Sequence, residues 1–140
     1  MPRASASREL LAPREDVWSF LAEPRHFPDW WPGIGGLEPD RRGFAPGARW
    51  HVVGENRPSF FRKPNMSGTL LVLAVEPYER FGFQLTGERM DVELRLSAPD
   101  PKRTLAHLTV EGPALIGLRR SLPQKALARL YALCQTAAEI

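Results

Sequence analysis

Between Met90 and Leu96 the chain alternates without a break: Met90, Val92, Leu94 and Leu96 are apolar, while Asp91, Glu93 and Arg95 between them are charged. A period of two marks a strand with one dry and one wet face. The dry face must be the apolar one, because the opposite choice would bury three charged side chains without partners. Residues 104–112 repeat the pattern, with Ala106, Leu108 and Val110 inward and His107, Thr109 and Glu111 in water. Phe81, Phe83 and Leu85 supply a third inward row over 79–86, and Trp50 and Val52 a fourth over 48–54. Residues 68–76 form a further strand, in which Leu70, Val72 and Ala74 help to leave both faces apolar. Glu76-Pro77-Tyr78-Glu79 and Ala98-Pro99-Asp100-Pro101-Lys102 have the chemistry of turns. The connections are too short for crossover helices, so the strands are expected to form an antiparallel meander.

The flanks have a different period. Residues 1–7 are small and polar and are expected to be a flexible N-terminus; Arg8 to Leu11 is long enough for a short strand. Pro13 suits the first position of a helix, followed by Glu15 and Asp16 at its positive end. Val17, Phe20 and Leu21 share one face of that helix, and Pro24 stops it. Pro28 and Pro32 then bracket Trp30 and Trp31 and allow at most one helical turn between them. So much aromatic surface reads as a lid or wall at one end of a curved sheet. At the other end of the chain, Ser121 and Gln124 fit a capping box, and Leu127, Leu130, Tyr131 and Cys134 recur on one helical face. Residues 113–120 fit either a loop or an earlier part of this helix, bent at Pro123. The fold class is α+β, with the final helix as the only element long enough to cover the sheet.

Composition narrows the functions open to such a fold. A chain of 140 residues with 43% hydrophobic and 25% charged residues is expected to form one globular domain, here over 8–140. The net charge of +3 is spread along the chain, and the Arg41-Arg42 and Arg119-Arg120 pairs make no basic stripe, so nucleic acid is not an expected partner. The single Cys134 excludes an internal disulfide. No stretch approaches the roughly eighteen apolar residues of a membrane span, and no signal peptide is evident, so a cytoplasmic location without membrane insertion is expected.

Several of these features fall in a familiar arrangement. Leu11-Ala12-Pro13, Val17-Trp18, Leu21, Pro24, Phe27-Pro28 and Trp30-Trp31 are followed by a strand entered through Pro46-Gly47, by Val75-Glu76-Pro77 and by the closing amphipathic helix. Over about residues 8–139 the chain resembles the START-like superfamily (SRPBCC), which includes polyketide cyclases, dehydratases and lipid-transfer proteins. The resemblance implies a helix-grip fold, in which a curved antiparallel sheet wraps a long C-terminal helix around an internal cavity. It does not select an activity.

If such a cavity is present, strand parity assigns its lining to Trp50, Phe81, Phe83, Met90, Val92, Leu94 and Leu108, with Leu127 and Tyr131 from the helix and Trp30 and Trp31 at the portal. The same rows also serve as plain core packed against the helix. Met66, in the Phe60–Met66 stretch, fits a flexible entrance flap or a patch joining two subunits; with the two-faced strand 68–76 it makes a homodimer one reading. The expected ligand is a hydrophobic small molecule such as a lipid or a polyketide-like compound, bound or carried. The alternative is a polyketide cyclase or dehydratase that folds its substrate, with His51, Glu88 and Tyr131 as the polar groups to assist. A protein-interaction module without a ligand is the third reading. Cys134 reads as a small buried hydrophobe, since no base or cation stands beside it. The histidines lack metal-ligand spacing, Gly33-Ile34-Gly35-Gly36 lacks the pattern of a phosphate loop, and neither a metal nor a cofactor is expected.

Overall fold

The strand with the clean alternation lies near the middle of a seven-stranded antiparallel sheet in the computed structural model, which describes residues 3–32, 34–54, 68–87, 89–112 and 121–138. In chain order the elements are β1 (Arg3–Leu10), α1 (Arg14–Leu21), a 3₁₀ turn (Pro24–His26), α2 (Phe27–Trp30), β2 (Ile34–Glu38), β3 (Arg49–Gly54), β4 (Gly68–Glu76), β5 (Arg80–Leu85), β6 (Met90–Asp100), β7 (Arg103–Glu111) and α3 (Leu122–Ala138). The sheet order is β1-β7-β6-β5-β4-β3-β2. Every neighbouring pair is antiparallel.

Register turns the inward residues of single strands into rows across the sheet. Val72, Phe83, Val92, Val110 and Ala4 stand opposite one another in sequence across five strands. Trp50, Leu70, Leu85 and Met90 make a parallel row. Directly opposed residues share a face, so these rows form one apolar surface. All but Ala4 are at most 3% exposed. α3 lies against β1 and β7 on that side, and α2 packs between α3 and β2. Cover of the sheet is therefore shared: α3 lies over one edge, and the four-residue α2 brings aromatic rings to the other.

Five expectations need correction. The N-terminal residues are ordered from Arg3, because β1 pairs along its full length with β7, from Arg3↔Glu111 to Leu10↔Thr104. The segment Ala98–Asp100 is strand, not turn: β6 runs on to Asp100, and the hairpin tightens at Pro101-Lys102, where the Lys102 N–H donates to Asp100 Oδ1 at 2.8 Å. The glycine-rich stretch after Pro32 contributes an edge strand, β2, that the pattern did not predict. Finally, β4 does not keep one parity. Leu73 faces outward, 50% exposed, and a bulge between Val72 and Ala74 turns Ala74 outward as well and returns Val75 to the inside opposite Phe81. Ala74 consequently packs on the outer face against Gly82. The first helix also begins one residue late, with Pro13 extended at its N-cap. Met66, Glu88 and residues 113–120 lie outside the described residues.

Candidate ligand-binding site

Pro28 and Pro32 confine α2 to a single turn, closed by the Trp31 N–H donating to the Phe27 carbonyl at 2.9 Å. That short turn aims three rings at the concave face. Phe27 is the hub: its ring centroid lies 4.9 Å from Trp30, 6.0 Å from Trp31, 5.2 Å from Phe83 and 6.2 Å from Trp50. Trp31 also meets Phe83 edge-on at 5.4 Å, and Phe83 continues to Phe81 at 5.0 Å. Mostly edge-to-face or tilted contacts of this kind let the positive rim of one ring meet the negative face of another. Phe27, Trp30, Trp31, Trp50, Phe81 and Phe83 are all fully buried.

Phe44, which sequence reasoning missed, closes the cluster from the segment between β2 and β3. It lies 4.7 Å from Phe81 and 5.6 Å from Trp18. Asp40 folds that segment by accepting from the Arg42 and Arg49 backbone N–H groups, both at 2.9 Å. These bonds, that from Arg49 foremost, hold the Asp40 carboxyl below its usual pKa. Gly47, at φ +87°, makes the turn into β3. The Phe44-Ala45-Pro46-Gly47 sequence carried a turn signal, but nothing in its spacing said where the ring would point.

Of the residues assigned to the lining, Trp30, Trp31, Trp50, Phe81, Phe83, Met90, Val92, Leu94, Leu108 and Leu127 meet in one buried cluster. Of the proposed polar groups, Tyr131 packs against the cluster from its rim, His51 does not join it, and Glu88 lies outside the described residues. His51 needs correction: it is exposed on the outer face, since the buried Trp50 and Val52 on either side fix its parity. Tyr131 is half-buried at the β1 edge of the sheet, its ring 4.3 Å beneath the Arg8 guanidinium. His107 is exposed and bonded to Ser7 Oγ at 2.6 Å.

Polarity inside the cluster comes instead from indoles. Trp50 Nε1 donates to the Gly43 carbonyl at 2.7 Å. Trp30 Nε1 is buried and has no acceptor among the described residues, an arrangement that costs about 1–3 kcal/mol for an ordinary polar group. His26 Nδ1, whose ring lies 5.7 Å from Phe20, is likewise buried without a protein partner. The buried Thr104 hydroxyl donates to the Ala12 carbonyl at 2.7 Å.

Among the concavities bounded by described residues, three are lined by residues outside the aromatic cluster. One, of about 350 Å³, lies between α1 and α3 over Ala12, Asp16, Ser19 and Cys134. Another, also about 350 Å³, is on the outer face around Leu73, Ala74 and Gly82. A third, of about 620 Å³, borders Arg14, Arg80, Arg95 and His107. Among the described residues no group of three His, Cys, Asp or Glu side chains is placed to hold a metal ion. No described helix is long and apolar enough to cross a membrane.

Comparison with known proteins bears on this arrangement. The family model described as activator of Hsp90 ATPase homolog 1-like protein matches residues 11–127. A solved structure of a Nitrosospira multiformis protein is 19% identical, with a TM-score of 0.71 over 99% of this chain and 100% of that one. DynU16, a protein of the dynemicin biosynthetic locus, is 20% identical with a TM-score of 0.67, covering 96% of this chain and 48% of that one. A point mutant of Thalictrum flavum norcoclaurine synthase, solved with a transition-state analogue, is 16% identical with a TM-score of 0.68, covering 98% of this chain and 96% of that one. At such identities the likeness is one of fold. No curated protein matches the sequence.

Proposed function

This chain belongs to the activator of Hsp90 ATPase homolog 1-like family, within the START-like superfamily, and from that membership we propose that it binds a hydrophobic small molecule, lipid or polyketide-like, against the concave face of its sheet. The superfamily is one of hydrophobic-ligand-binding domains. The observation that carries the reading to this chain is its inner surface: Val72, Phe83, Val92 and Val110 form an unbroken apolar row beside Trp50, Leu70, Leu85 and Met90. Thr104 is the sole polar residue that is buried among the described residues. Contact with such a wall is worth about 0.8 kcal/mol for each ligand methylene removed from water.

Catalysis is the weaker reading. General acid–base work needs a titratable group within hydrogen-bond reach of substrate. His51 stands on the outer face, and Tyr131 sits at the sheet edge under Arg8. The test is titration of the purified chain with a neutral hydrophobic fluorophore, with fatty acids and aromatic polyketides as competitors. The expected result is saturable uptake near one-to-one with displacement by at least one competitor. A folded sample that takes up neither fluorophore nor competitor overturns the proposal.

A further inference from the structure

The outer face of the sheet sorts its charges by sign. Directly opposed residues of antiparallel strands share a face, and like charges placed there repel. Even so, Asp91 stands opposite Glu111, and Arg95 stands opposite both Arg80 and His107. The two rows are four residues apart along β6, roughly 14 Å at the rise of an antiparallel strand. Midway between them Glu93 is flanked by Gly82 and Thr109, so no bulky side chain rises beside it. Each row borders a hollow. The one of about 350 Å³ is bounded by Asp91, Glu93 and Glu111 together with Arg3 and Arg80. The one of about 620 Å³ is bounded by Arg14, Arg80, Arg95 and His107 together with Glu76 and Glu79. Pairing within the chain is incomplete. Glu93 holds Arg95 at 2.8 Å and Arg80 at 3.4 Å, and Arg3 reaches Glu111 at 3.1 Å. Asp91 has no ion-pair partner among the described residues.

A face with one acidic and one basic end is its own complement. We propose that two copies of the chain associate through this face, about a two-fold axis normal to the sheet at Glu93. In such a contact residue i of one copy meets residue j of the other, and j meets i. Half a turn about Glu93 exchanges the two ends of β6, so Asp91 of each copy meets Arg95 of the other. It also exchanges β5 with β7, bringing Glu111 to the second copy's Arg80 and Gly82 to its Thr109. Glycine and threonine beside the axis let the backbones approach. The two Glu93 carboxylates that meet there are already held by Arg80 and Arg95 of their own copies. A partner of uniform charge, such as nucleic acid or an acidic membrane, is repelled by one end of the face; a second copy is matched at both. The inner face stays free, so this proposal does not depend on the ligand reading.

Exposed ion pairs are individually weak and screened by salt, so the dimer is expected at high chain concentration and low ionic strength. Sedimentation equilibrium of the full chain should show dimers near about 1 mM chain in about 0.05 M salt, with association about ten-fold weaker in about 0.5 M salt. Asp91→Lys alone and Arg95→Glu alone each set like charges against each other across the axis, and each should weaken association about ten-fold. An equimolar mixture of the two variants should associate again, because every such pair in the mixed dimer joins opposite charges. Positions 91 and 95 of one chain are too far apart to touch, so this rescue can come only from contact between chains. A native chain that stays monomeric at every concentration in low salt overturns the proposal. So does a dimer that ignores both substitutions, or a mixture that associates no better than either variant alone. Should Arg95→Glu not fold, amide shifts of the native chain on dilution decide: movement at Asp91, Glu93 and Arg95 supports this face, and movement confined to other strands overturns it.

Discussion

Trp30 and Trp50 are buried in one ring cluster, yet among the described residues only Trp50 finds a partner for its indole N–H, the Gly43 carbonyl. Replacing each by phenylalanine removes similar volume, so the hydrogen bond separates them. Trp50→Phe is expected to lose about 1 kcal/mol more stability than Trp30→Phe in urea unfolding. Equal losses would mean that the two N–H groups are held equally well. Cys134 gives a second test at this scale. Burial, and then the Asp16 carboxylate, pushes its thiol from 9.0 up to about 11. The folded chain therefore keeps a proton that the unfolded chain releases near 9. Stability from this site is complete below that pH and is lost as pH rises through about 11, by an amount on the order of 2 kcal/mol. Stability curves from pH 8 to 11 for the native chain and Cys134→Ala should converge with rising pH; parallel curves would show that the thiol is not the cause.

Among elements, β1 departs furthest from its sequence. Arg3-Ala4-Ser5-Ala6-Ser7 has no hydrophobic run, and its order comes from β7, whose free edge it completes, with Arg3–Glu111 and Arg103–Glu9 ion pairs at 3.1 and 2.9 Å on the rim. Deleting residues 3–7 is expected to cost at least about 2 kcal/mol, since several ladder bonds each contribute about 0.5–1.5 kcal/mol, and to expose β7 to association. Thermal unfolding with light scattering measures both, and an unchanged midpoint would show the strand to be dispensable. The inner rows of β6 and β7 were legible because Asp91, Glu93 and Arg95 in one strand and His107, Thr109 and Glu111 in the other permit only one parity. Of β1 only the end at Arg8–Leu10 was legible, since the order of residues 3–7 resides in a partner distant in sequence. In β2, Gly35 and Gly36 thin out the apolar signal. The β4 bulge is a register event between two strands, which no single strand's pattern records. For the site, the aromatic content was legible, but Phe44 and the outward turn of His51 depended on loop geometry and neighbouring parity.

For the whole molecule, a ligand held against the sheet couples binding to folding. At a free concentration one hundred times its Kd, it should add about 2.7 kcal/mol to stability, read as a rise in thermal midpoint. A probe that binds without raising the midpoint would be attaching elsewhere or to unfolded chain as well. The packing of α3 on β1 has a consequence for biosynthesis. β1 is synthesised well before α3, the helix it rests against. Until that helix clears the exit tunnel, the β1–β7 edge of the apolar face stays uncovered, and the nascent chain is open to aggregation. A premature stop codon ahead of Leu122 should accordingly yield material destined for proteolysis, not a weakened binder.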